Sequence, residues 1–154
     1  MELQECFMNT FVVIGKEGST RDGAGFIEKL WEAANGHFDE VSHLAKKDNR
    51  GRVIGVWGLM SDFSREFHPW AEDFTQGLYL AGVECGSDAT APPGWSKWTV
   101  PSFDYLFVQS TGPETFAEMI RELETRAISL AGAVQEFHCP ETGNLYLFAP
   151  IRRL

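Results

Sequence analysis

Cysteine, basic charge and long apolar runs are all scarce in this 154-residue chain. Three cysteines, Cys6, Cys85 and Cys139, are an odd number without short paired spacing. That excludes a disulfide framework and fits a reducing, cytoplasmic setting. Thirteen Lys and Arg stand against twenty-two Asp and Glu, a net charge of −9. Such a field repels a phosphate backbone and no basic stripe offsets it, so nucleic acid is not an expected partner. An anionic membrane surface is disfavoured for the same reason. No run approaches the roughly 18–20 apolar residues that cross a bilayer. Met1-Glu2-Leu3-Gln4-Glu5 carries acids where a secretory leader needs a basic start.

Familiar catalytic motifs are missing too. Gly23-Ala24-Gly25 precedes a helical pattern, but Glu28 stands where a dinucleotide fingerprint needs its third glycine. No Gly-x-Ser-x-Gly elbow exists. The histidines are scattered: His37 and His43 fall on separate faces of a helix, and neighbouring His138 and Cys139 point to opposite sides of a strand. Neither a metal nor a cofactor is expected, and Cys139 lacks a catalytic partner.

What is abundant is aromatic. Five Trp, twelve Phe and three Tyr make 13% of the chain, within 44% hydrophobic residues overall. That suffices for a heavy core and for one domain over residues 1–154, and it suits a pocket for flat or cationic ligands.

Thr10–Gly15 is short, β-branched and bounded by glycine, hence a strand. A Gly- and Ser-rich stretch, Lys16–Gly25, follows and reads as flexible. Phe26, Leu30, Ala34, Val41 and Leu44 recur at helical spacing, which predicts a helix over 26–44. Strands are expected at Arg52–Met60 and Gly77–Cys85, joined by the long, aromatic segment Ser61–Gln76. Connections of that length are often lids. Trp98–Gln109 reads as a strand bent at Pro101-Ser102. Thr111-Gly112-Pro113-Glu114 opens a helix over 113–129, and strands at Ala133–His138 and Asn144–Ile151 flank a turn. The order is βαββ twice, with halves near 7–86 and 97–154. The phrases Gly77-Leu78-Tyr79-Leu80 and Asn144-Leu145-Tyr146-Leu147 echo each other, which argues for duplication. The expected class is α+β: two pseudo-symmetric βαββ modules with an antiparallel sheet and a central ligand cleft, the sheet faces away from the helices meeting across it.

The phrases Phe26-Ile27-Glu28-Lys29-Leu30-Trp31, Gly55-Val56-Trp57-Gly58-Leu59-Met60-Ser61-Asp62, Gly77–Glu84 and Ala133-Val134-Gln135-Glu136-Phe137 resemble the GyrI-like family, also called the AraC-type effector-binding domain. The resemblance runs from about Phe11 to Ile151 and implies a duplicated βαββ fold that binds aromatic or cationic xenobiotics. It has the look of a stand-alone pocket without a DNA-binding module. It places Glu136 at a pocket floor, Tyr146 beside the ligand and Phe116 near the second helix start. A hydrolase opening strained cyclopropane rings of DNA-alkylating natural products is the alternative the family implies, with Glu136 or Glu84 as candidate catalytic groups. A modulator of a protein partner such as gyrase is a more distant one.

Strand parity extends the candidate site. If Glu136 faces the cleft, so do Val134 and His138; Tyr146 would bring Phe148, and the repeat would bring Tyr79. Glu84, at a strand end, is the second carboxylate. Trp57 and Trp98 are open between core and cage, Trp70 suits a lid, and Trp31 belongs to the core.

Overall fold

The computed structural model describes all residues, Met1–Leu154. Alternating apolar residues build eight strands: β1 (Gln4–Met8), β2 (Phe11–Ser19), β3 (Val56–Ser61), β4 (Leu78–Cys85), β5 (Ser96–Val100), β6 (Phe103–Gln109), β7 (Gln135–His138) and β8 (Leu145–Arg153). They join one antiparallel sheet in the order β1-β6-β8-β7-β3-β4-β2-β5. The order is pseudo-symmetric about the β3–β7 seam, where Trp57 lies opposite Phe137 and Gly58 opposite Glu136. Each half contributes three consecutive sheet positions and lends one strand to the far edge of the other: β1 pairs with β6, and β5 with β2. The α+β class and the duplicated plan expected from the sequence are therefore present.

Proline explains one departure. Trp98–Gln109 is two strands, because Pro101 cannot donate to a ladder and the chain bends there. The bend sits beside the break between β1 and β2, where the Thr10 N–H donates to Ser102 Oγ at 2.9 Å. The first helix, α1 (Phe26–Gly36), stops short of the expected Leu44 because Asn35-Gly36 weakens it; a 3-10 turn at Phe38–Glu40 follows. Val41 still packs, fully buried, against the sheet. Lys16–Ser19 prolongs β2 instead of forming a flexible loop, and residues 52–55 precede β3 without joining it. Ser61–Gln76 holds a one-turn segment, α2 (Ala71–Phe74), in which Glu72, Asp73 and Phe74 have positive φ. The last helix is α3 (Thr115–Thr125). No helix is long and apolar enough to cross a membrane.

Both long helices lie on the same face of the sheet. α1 covers Val12, Ile14, Tyr79, Ala81 and Val83; α3, through Met119 and Leu123, covers Leu106, Val134, Leu147 and Ala149. The opposite, inner face encloses an aromatic core from Phe11, Trp57, Phe67, Trp98, Phe103 and Tyr105, with Phe137 and Phe148 at its margin. The faces without helices thus meet as packed core, contrary to the sequence-based expectation of a cleft there. Aromatic side chains of β2, β3, β5 and β6, with Phe67 from the long connection, close that face among themselves. The open ground is the strip of helix face between α1 and α3.

Candidate functional site

That strip runs along the β3–β7 seam. Glu136 projects from β7 onto the helix face, with its side chain 22% exposed. Directly opposite it in β3 is Gly58, a glycine inside a strand that marks a close approach. A Cβ on Gly58 would lie 2.0 Å from the Tyr79 hydroxyl and 2.6 Å from Glu136 Oε1. Its absence lets Tyr79 reach across from β4 and donate to Glu136 Oε1 at 2.5 Å. Trp31, from α1, donates its indole N–H to the Tyr79 oxygen at 3.0 Å. Tyr79 is fully buried. Burial first, then the Glu136 charge and the hydrogen bond to it, push the phenol far above its ordinary pKa, although the Trp31 bond opposes them. Tyr79 is thus a neutral O–H donor. His138, two residues along β7, packs its ring on Trp31 with centroids 4.7 Å apart, and its Nε2 is 3.9 Å from Glu136 Oε1.

Glu136 opens onto a cavity of about 200 Å³ with an almost wholly apolar lining. Met60, Val134 and Leu147 form its sheet side, and Phe116 enters from the first turn of α3. The rest comes from the long connection, through Pro69, Trp70 and Phe74. The rings of Phe74 and Phe116 meet edge to face at 5.3 Å, joining the connection to the helix over the cavity. Trp70 is pinned by its indole N–H to the Leu78 carbonyl at 2.8 Å. The Phe67 N–H is held by Ser61 Oγ, and the Phe67 carbonyl accepts from the Ala133 N–H at 2.7 Å. Residues 61–76 are thus a built wall, although Arg65, Phe67, Glu72, Asp73 and Phe74 all have positive φ.

Four of the eight sequence-derived site residues, Glu136, Tyr79, Phe116 and Trp70, converge here; Val134 and His138 share the Glu136 face, as parity required. The other four lie elsewhere. Tyr146 pairs with Phe137 in the β7–β8 ladder and so points, with Phe148, to the inner face. The repeated phrases are out of step by an odd number of residues, which puts Tyr146 on the parity of Leu80 and not of Tyr79. Trp57 is core, 4.9 Å from both Phe11 and Phe137. Its indole N–H donates at 3.0 Å to Glu84 Oε1, and Lys46 pairs with the other Glu84 oxygen at 3.4 Å. Glu84 is therefore an inner-face partner of Trp57 and not a second cleft carboxylate. Trp98 is buried against Phe67 and donates to Glu17 at 2.7 Å, while Arg65 clamps the same carboxylate at 2.5 and 2.7 Å. Burial alone would raise the Glu17 carboxyl, but those bonds and the Arg65 charge outweigh it and hold it below the usual range. Neither this node nor the role of Trp31 was foreseen. Trp31 looks like any aromatic on a helical stripe until the 3.0 Å bond to Tyr79 is seen.

No family model matches this sequence, and no curated protein matches it. Solved structures do. A structure of SAV2435 bound to tetraphenylphosphonium superposes with a TM-score of 0.63 at 15% identity, over 99% of this chain and 94% of that one. The C-terminal domain of EcmrR superposes at 0.66 and 10% identity over the whole of both chains. In an EcmrR–DNA complex the same match spans 58% of the EcmrR chain. A hydrolase from Listeria innocua gives 0.55 at 12% identity, over 97% of this chain and 91% of that one.

Proposed function

We propose that this chain, whose fold is the GyrI-like one, binds a lipophilic aromatic cation in the cleft between α1 and α3, with Glu136 as counter-charge. One observation carries the reading: a carboxylate faces an apolar cavity with no Lys or Arg within 4.0 Å, and its hydrogen-bond donor is a neutral phenol. An unpaired carboxylate held away from water is costly, and a bound cation offsets that cost. The rings of Trp70, Phe74 and Phe116 offer π-faces worth about 0.5–2 kcal/mol per cation contact. No other charged side chain lines the cavity, which suits a permanent, delocalised cation better than a donor-rich amine. SAV2435, bound to tetraphenylphosphonium, has this fold and supports the ligand class. The net charge of −9 favours a small cation over a phosphate backbone as partner.

The cavity of about 200 Å³ is smaller than the roughly 300–1,000 Å³ of ligand pockets. Entry of a tetra-aryl cation therefore requires the Phe74–Phe116 contact to part, with the 61–76 connection moving outward. Calorimetric titration with tetraphenylphosphonium and with neutral triphenylphosphine oxide tests the reading. At least tenfold tighter binding of the cation is expected. Equal affinity for the two probes would show that the carboxylate supplies no attraction.

A second reading is hydrolysis, favoured by the Tyr79–Glu136 pair at 2.5 Å. The Glu136 oxygen not bonded to Tyr79 could orient a water against a strained cyclopropane next to a carbonyl. Glu136 would take a proton from the water as its oxygen bonds to the ring carbon and a C–C bond breaks. The electron pair would move onto the carbonyl oxygen, which takes up the proton that Glu136 then gives back. A product heavier by one water in mass spectra supports this reading; unchanged cyclopropane at saturating protein removes it.

A further inference from the structure

We propose that His138 is an internal counter-cation for Glu136, so that binding of a cation in the cleft is linked to release of a proton from the imidazole. The inference rests on the binding site proposed above and adds a specificity-determining residue to it. His138 and Glu136 alternate along β7 and so share the helix face. The imidazole packs against Trp31 at a tilt of 57°, with centroids 4.7 Å apart. Its Nε2 is buried and has no hydrogen-bond partner. A buried ring nitrogen without a partner calls for an explanation. Glu136 Oε1, at 3.9 Å, is the one acid within ion-pair distance of it.

The His138 side chain is 36% exposed, and Glu136 is the only charged side chain within ion-pair distance of it. Opposite it stand Val56 on β3 and Leu145 on β8, both uncharged. From α1 it meets the Trp31 ring, and no charged side chain of that helix pairs with it. From β4 comes Tyr79, the other titratable member of the network, whose hydroxyl is already committed to Glu136. A proton on Nε2 therefore turns toward Glu136 and cancels the charge that a ligand cation needs. Bound cation and protonated imidazole compete for one carboxylate, and the ligand wins only where the imidazole is neutral. The sign follows: affinity is full above the imidazole range and falls as pH drops through it. Exclusion of the charged form weakens binding about tenfold for each pH unit below that range. Selectivity against neutral aromatics narrows over the same span, because a neutral ligand does not compete for Glu136.

The experiment is titration of the full chain with tetraphenylphosphonium at pH 7.5 and 5.5, repeated at pH 6.5 in two buffers of unlike ionisation enthalpy. The unsubstituted protein should bind about tenfold more weakly at pH 5.5 and release a fraction of a proton at pH 6.5. His138→Phe, which keeps a ring on Trp31, should bind equally at both pH values and release none. His138→Asn serves as the second variant if the first does not fold. The histidines His37, His43 and His68 remain in all of them and act as internal controls. Binding of the unsubstituted protein that ignores pH, or a pH dependence that survives loss of His138, overturns the inference while leaving the cation site standing. Absence of tetraphenylphosphonium binding at pH 7.5 overturns the site itself, and the inference with it.

Discussion

Tyr79→Ala is expected to lower unfolding free energy by about 3–5 kcal/mol, the range for truncation of a buried aromatic, and to abolish cation binding. The side chain is fully buried under α1. Its removal leaves Trp31 Nε1 without an acceptor and Glu136 without its donor. Each stranded polar group adds a desolvation cost of about 1–3 kcal/mol where water cannot replace the partner. Tyr79→Phe separates the two roles. The ring and its packing stay, the hydroxyl goes, and the loss should fall to about 1–3 kcal/mol. Tyr146→Ala is the contrast, because Tyr146 is only partly buried and lies on the other sheet face. It should cost less than about 1.5 kcal/mol and leave binding intact. Denaturant melts of the three variants check this; a Tyr79→Ala loss no larger than that of Tyr146→Ala would refute the core placement of Tyr79.

Gly58→Ala should destabilise by about 1–3 kcal/mol and weaken cation binding at least tenfold. The added methyl group would fall within 2.0 Å of the Tyr79 oxygen and 2.6 Å of Glu136 Oε1, so one of them must leave its place. Either displacement parts the hydrogen bond that orients the carboxylate. Gly36→Ala is the control, since a Cβ there meets nothing within 4 Å. Thermal melts and calorimetry on the pair measure both effects; unchanged affinity in Gly58→Ala would mean that the Tyr79–Glu136 geometry does not matter to the ligand.

These two residues also show where sequence reasoning succeeds and where it stops. Periodicity locates α1, α3 and most strands, because burial of one face imposes period 3.6 or 2 on the apolar residues. It places Glu136, Val134 and His138 on one face for the same reason. The partly exposed edge strand β1 carries no such pattern: Gln4-Glu5-Cys6-Phe7-Met8 becomes a strand by pairing with β6, a contact some hundred positions away. Tyr146 goes astray through register. Resemblance between Leu-Tyr-Leu phrases fixes neither the pairing partner nor its parity, and a one-residue slip turns every side chain over. Glu84 goes astray, and Trp57 and Trp98 stay open, because the sequence does not show which sheet face is enclosed; Phe11, Phe67 and Phe103 cover theirs. The signal at Gly58 is partial: a glycine within a strand announces a close approach, but not whose hydroxyl makes it.

The measurement that bears most directly on the central claim is the affinity of Glu136→Gln for tetraphenylphosphonium, set beside its affinity for triphenylphosphine oxide. Glutamine keeps the shape and can still accept from Tyr79, but carries no charge. Cation binding should weaken by on the order of 1–3 kcal/mol while the neutral probe is held as before, so that the preference for charge disappears. Retention of the full cation preference in Glu136→Gln, in a variant whose melting curve matches the unsubstituted protein, would contradict Glu136 as the counter-charge.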